Sequence, residues 1–119
     1  MLARHPKLRI AFSHGGGVFA LVLPRLMHGW NSMKDLQAKV QSPAEQARKL
    51  FYDTLVYDPK TLAFLIERFG VTQLCLGTDH PFTIQETDPV GAVDVLGLAP
   101  REHDLLLSGN AQRFLVEAA

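Results

Sequence analysis

Three short, largely apolar runs, Leu8 to Phe12, Phe51 to Val56 and Gln73 to Leu76, each give way to turn-forming residues and then to a stretch with helical spacing. That alternation constrains the fold more than any other feature of the chain. Runs of this length, bounded by Gly, Pro, Asp or Ser, have the pattern of buried strands. A helix after each strand carries the chain back to the same edge of the sheet, so the strands are expected to be parallel with right-handed crossovers. Three such strands cannot close a barrel and leave two unpaired edges. An eight-stranded barrel needs about 250 residues, so residues 1–119 are expected to form a single partial domain.

The helical segments have recognisable boundaries. Val18 to about Ala38 has helical spacing that Pro24 and Asn31-Ser32 are expected to interrupt. Ser42-Pro43-Ala44-Glu45 follows the logic of a capped start, with an acceptor at the cap and proline in the first turn. Asp58-Pro59 opens Thr61 to Phe69, which carries Leu62, Leu65, Ile66 and Phe69 on one face, and Gly70 closes it. Val90 to Leu98, Pro100 to Leu107 and Ala111 to Val116 complete the set, with Gly109-Asn110 expected as a break before the last.

Hydrophobic residues make up 47% of the chain and charged residues 20%, which is a globular composition. Twelve basic residues balance twelve acidic ones, so no positive field draws in a phosphate backbone or an anionic membrane. The apolar stretch Val18 to Leu26 is too short for a membrane span and contains Pro24; no signal peptide is read. The lone Cys75, within an apolar run, excludes a disulfide framework and fits a reducing, cytoplasmic compartment.

In parallel α/β folds, functional groups collect at the C-terminal ends of the strands. The first run ends in Ser13-His14-Gly15-Gly16-Gly17 and the third in Gly77-Thr78-Asp79-His80-Pro81, which sets an imidazole and a carboxylate on one rim. Such a pair suits acid/base chemistry, metal binding or both. Taken alone, His14 also reads as a loop histidine satisfied by hydrogen bonds, and Asp79 as a turn or cap acceptor. The glycines belong to no phosphate-binding motif, and no Cys/His spacing encodes a self-sufficient zinc site. Asp79, with His14 or His80, is all the chain offers a metal.

Five ordered pieces carry a more specific message: Phe12-Ser13-His14-Gly15-Gly16-Gly17; Arg25 with His28-Gly29; Phe51-Tyr52-Asp53-Thr54; Leu76-Gly77-Thr78-Asp79-His80-Pro81-Phe82; and Gly109-Asn110-Ala111. In this order and spacing, over nearly the whole chain, they resemble the amidohydrolase-related family that includes aminocarboxymuconate-semialdehyde decarboxylase and the γ-resorcylate-type decarboxylases, the former most closely. The resemblance implies an α/β fold, the C-terminal portion of a metal-dependent hydrolase-type (β/α)8 TIM barrel, with about three parallel strands and covering helices. It implies that Asp79 ligates Zn2+ or another divalent metal on the last barrel strand. It further implies that His14 is the general acid/base acting on a metal-activated water, and that Arg25 binds a substrate carboxylate, in the decarboxylase across a dimer interface. Arginine fits that task through its planar bidentate fork, although a solvated helix arginine is the plainer reading. The family's His-x-His pair and its further histidine ligand have no counterpart here, and His80 stands where an aromatic is common.

The function expected from this resemblance is metal-dependent decarboxylation of a small carboxylic acid, with the chain supplying the C-terminal part of the site. Hydrolysis by the same chemistry, or a truncated fragment without catalysis, are the alternatives. Exposed strand edges predict self-association into a homo-oligomer, and neither nucleic acid nor membrane is an expected partner. His28 and Trp30 read as packing residues, and His5 and His103 as surface residues.

Overall fold

Strand structure forms only where the apolar runs lie side by side. In the computed structural model, which describes residues 2–116, β1 (Ala11–Phe12), β2 (Phe51–Asp53) and β3 (Leu74–Cys75) make one sheet in the order β1-β2-β3. Both pairings are parallel, Ala11 opposite Phe51 and Tyr52 opposite Leu74. Each strand is shorter than its apolar run. Pairing fades where the chain turns into loops.

Helix α1 (Phe19–Ser32) runs through Pro24 without a break, contrary to the expectation from sequence. Ala20 and Leu23 on its inner face are buried, and that packing outweighs the single N–H that proline lacks. The chain breaks instead at Met33, which is extended, before α2 (Lys34–Lys39). Trp30 Nε1 donates to Val40 O at 3.0 Å and ties the two helices together. Ser42 precedes α3 (Pro43–Ala47), but its hydroxyl makes no capping bond and lies against Met27 Sδ at 3.5 Å. Asp58 does cap α4 (Pro59–Phe69), accepting from Thr61 N at 2.8 Å and Thr61 Oγ1 at 2.6 Å, which lowers its pKa.

After β3 come α5 (Pro89–Asp94), α6 (Pro100–Asp104), a π turn (Leu105–Gly109) and α7 (Asn110–Val116). Gly109-Asn110 is therefore no break: the chain widens into the π turn and continues as helix. The wider turn serves Asn110, which is fully buried and donates through Nδ2 to Val71 O and Leu74 O, both at 2.7 Å. At the same end, Arg9 Nη1 donates to Arg113 O at 2.8 Å, and Arg113 bonds Thr72 O and Gln73 Oε1.

The core lies between the sheet and α1, α3 and α4, with Val93 of α5 and Leu106 of the π turn also fully buried in it. Tyr52 is fully buried and stacks on Phe69 with centroids 3.8 Å apart and planes 6° apart, while Phe19 covers Phe69 at 5.8 Å. Tyr52 Oη donates to Ala47 O at 2.9 Å, which satisfies the one polar atom buried with the ring. No helix among the described residues is long and apolar enough to cross a membrane.

Two predictions follow from this packing. Asn110→Ala leaves the Leu74 carbonyl without its donor and opens a small cavity, and should lower the unfolding free energy by about 2–4 kcal/mol in urea titrations. The second concerns alkaline pH. Burial pushes the Tyr52 phenol well above the ordinary tyrosine value, so the folded state favours the protonated form. The stability this gives is present below the unfolded value of about 10 and is lost as pH rises beyond it. With only two tyrosines in the chain, near-ultraviolet tyrosinate absorbance should appear in two steps. Tyr57 ionises in the folded protein, and Tyr52 only together with loss of far-ultraviolet circular dichroism; Tyr52→Phe should abolish the second step.

Candidate active site

Parallel strands send their exits to one edge. From β1 the chain passes Ser13 into a 3-10 turn, His14–Gly16, closed by Gly16 N to Ser13 O at 3.0 Å and Gly17 N to His14 O at 2.9 Å. His14, Gly15 and Gly16 are all left-handed, with φ of 55°, 59° and 77°. Glycine is required here for space as well as for φ. A Cβ on Gly15 would lie 2.5 Å from Leu65 Cδ1, and one on Gly16 would lie 2.7 Å from the Tyr52 ring. His14 is exposed, and its imidazole makes no hydrogen bond among the described residues.

From β3 the chain passes Gly77 and Thr78 to Asp79, which is half-buried and also left-handed, with φ 56°. Phe82 N donates to Asp79 O and Glu86 N to Thr78 O, both at 2.8 Å. Such φ values cost a non-glycine residue about 1–3 kcal/mol each, so the surrounding structure must impose them at His14 and Asp79. Asp79 Oδ2 accepts from Tyr57 Oη at 3.3 Å. Partial loss of hydration, followed by the Asp79 carboxylate, raises the Tyr57 phenol pKa and keeps it a donor. His80, the other candidate ligand, is exposed, with Nδ1 2.9 Å from Gln85 Oε1 in its own loop.

The strands bearing His14 and Asp79 flank β2, so they stand about 10 Å apart, two strand spacings. Between them lie residues to which sequence reasoning gave no role: Asp53 and Thr54 at the exit of β2, and Tyr57 just beyond. The available signal was the polar pair ending an apolar strand at the same rim. Asp53 Oδ1 accepts from Gly15 N at 2.9 Å and Leu55 N at 3.1 Å, and Thr54 Oγ1 accepts from Gly77 N at 3.1 Å.

Arg25 is exposed on α1, without a salt bridge among the described residues. It follows the buried Leu23 by two positions, about 200° round the helix, and so faces away from the core. His28 is exposed rather than packed, while Trp30 is half-buried as expected. His103 is half-buried and pairs with Asp94 at 2.6 Å. Among the described residues no three His, Cys, Asp or Glu side chains converge to hold a metal. Catalytic zinc usually takes three protein ligands. The donor set here would fit one side of such a site, a carboxylate with an uncommitted oxygen, and the remaining ligands would have to come from outside the described residues.

The amidohydrolase family model matches residues 1–116. The chain is 37% identical over 115 residues, 94% of its length, to 2-amino-3-carboxymuconate-6-semialdehyde decarboxylase of Dictyostelium discoideum, and 38% identical over 120 residues to the Caenorhabditis elegans protein of the same name, with 97% of the chain covered. It spans only 32% and 29% of these relatives, about a third of their length. Among solved structures, a dihydroxybenzoic acid decarboxylase from Polaromonas, crystallised with manganese and 2-nitroresorcinol, superposes with a TM-score of 0.79 at 18% identity. That match covers 95% of this chain and 35% of the other.

The glycine turn yields a direct test. Gly16→Ala must accept φ 77° and push a Cβ into a rigid, stacked ring, and should cost on the order of 2–4 kcal/mol. Gly17, at φ 61° and ψ −128°, has open space around its Cβ position, so Gly17→Ala should cost the backbone strain alone, about 1–3 kcal/mol, without the clash that Gly16→Ala adds. Chemical denaturation of the two variants checks the difference.

Proposed function

The chain belongs to the amidohydrolase family, and on that premise we propose that it supplies the C-terminal part of a divalent-metal-dependent decarboxylase site acting on a small carboxylic acid. The observation that carries the reading is that His14 and Asp79 leave the two strands flanking β2 at the same edge of one parallel sheet. The names of the two relatives support decarboxylation, and the manganese in the dihydroxybenzoic acid decarboxylase supports a divalent ion. Zinc is our choice of ion, and other divalent metals are outcomes of the test.

In this reading Asp79 is the metal ligand. Tyr57 occupies Asp79 Oδ2 and so fixes the rotation of the carboxylate. When bound, a divalent ion supplies Lewis-acid stabilisation of developing negative charge and a water made nucleophilic at neutral pH. His14, whose imidazole is uncommitted among the described residues, is the general acid/base: it takes a proton from water and delivers it to the carbon that loses carbon dioxide. Arg25 pairs with the substrate carboxylate, and its outward position on α1 supports doing so in the site of a neighbouring subunit. The exposed Val18, Leu21, Val22 and Leu26 beside it support self-association. The lone, half-buried Cys75 supports a reducing compartment such as the cytoplasm.

The test is a chimera in which this chain replaces the matching third of the Dictyostelium relative. We expect stoichiometric zinc by elemental analysis, lost in Asp79→Ala, and carbon dioxide release from aromatic or muconate-like acids, falling at least about 100-fold in His14→Ala with metal retained. Solvent oxygen incorporation without carbon dioxide release would move the reading to hydrolysis. A folded chimera whose turnover ignores both substitutions would sink it.

A further inference from the structure

Neither His14 nor Asp79 is held in place by its own side chain alone, yet both sit in left-handed backbone that needs an outside hold. The residues that grip them lie between them. Asp53 Oδ1 accepts from Gly15 N, the amide directly after His14, at 2.9 Å and across 38 positions of sequence. Thr54 Oγ1 accepts from Gly77 N, two positions before Asp79, at 3.1 Å and across 23 positions. The Asp79 loop also lies against Asp53: a Cβ on Gly77 would stand 3.1 Å from Asp53 Cβ. An ordinary turn accounts for the bond from Leu55 N to Asp53, two positions on, but not for the two long-range bonds.

We propose that Asp53 and Thr54 form a positioning clamp that holds the His14 turn and the Asp79 loop in register across the middle strand. The functional meaning of that register rests on the roles assigned above to His14 and Asp79; the mechanical claim does not. The carboxylate works through geometry: its oxygen accepts two amides from fixed directions, and a neutral side-chain carbonyl of the same shape can do the same. Thr54 contributes a hydroxyl acceptor, which serine also offers and valine does not.

The test uses the 119-residue chain labelled for nuclear magnetic resonance and needs no metal or substrate. Asp53→Ala should speed Gly15 amide exchange by about tenfold or more and shift the His14 ring resonances, while Asp53→Asn keeps both close to wild type. Thr54→Val should do the same to the Gly77 amide and move the Asp79 backbone resonances, and Thr54→Ser should restore them. If Asp53→Ala does not fold, Thr54→Val and Asp53→Asn carry the test. The clamp is overturned if the folded Ala or Val variants leave exchange at Gly15 or Gly77 and the neighbouring resonances unchanged. It is equally overturned if Asp53→Asn disturbs His14 as much as alanine does, since that would make the charge, not the geometry, the operative property. A clamp that passes while Asp79→Ala leaves metal uptake intact would refute the functional reading and leave the clamp standing.

Discussion

The stack of Tyr52 on Phe69 ties together parts of the chain that would otherwise have little to hold them. The ring leaves the middle strand, meets α4 face to face, and sends its hydroxyl to the end of α3. Its edge also forms the wall that admits glycine alone at position 16. A sheet of two- and three-residue strands has few ladder bonds, so it depends on side-chain packing to keep its register. Tyr52 provides that packing at the residue paired with both neighbours, Phe12 on one side and Leu74 on the other. The shape of the His14 turn therefore follows from a buried aromatic contact behind the sheet.

A second set of contacts works from the opposite end. Asn110, Arg113 and Arg9 bind backbone carbonyls of Val71, Leu74, Thr72 and α7 itself, which pins the C-terminal helix to the entry of β3 and the approach to β1. Polar side chains at that end are used on backbone; those at the strand exits are used on loops. The middle strand carries both, with Phe51 against Phe114 at 5.1 Å and Asp53 on the His14 turn.

Much of this was legible in the sequence because each strand and helix depends on local pattern. The existence of the three strands, their parallel sense, the Asp58 cap and the closure of α4 at Gly70 all follow from apolar spacing and turn chemistry. Pro24 misled because local propensity says nothing of the packing that Ala20 and Leu23 gain. Gly109-Asn110 misled for the same kind of reason: a Gly-Asn pair reads as a stop until the buried partners of Asn110, some forty positions away, are known. At the site, His14 and Asp79 stood out because their residue types are chemically potent beside glycine. Asp53, Thr54 and Tyr57 did not, because their contacts reach 22 to 38 positions along the chain and no local spacing encodes them.

The distribution of polar partners also bears on what the rim can do. The groups that fix backbone use their polar atoms on it: Asp53 takes two amides, Thr54 one, and Asn110 gives two from Nδ2 while its buried Oδ1 has no partner among the described residues. The groups with chemical potential keep theirs open among the described residues: the His14 ring, the Arg25 guanidinium and one oxygen of Asp79. A surface selected only for stability has no reason to hold His14, Tyr57 and Asp79 in left-handed backbone and leave the His14 ring and one Asp79 oxygen without a partner among the described residues. A binding site does, because atoms fixed beforehand lose less freedom when a ligand arrives. The rim is nonetheless one-sided, since its carboxylate faces no second and third ligand from the same described residues. Under the proposed function, the geometry suits one wall of a site, made rigid from behind and open in front, in a chain about a third as long as its relatives.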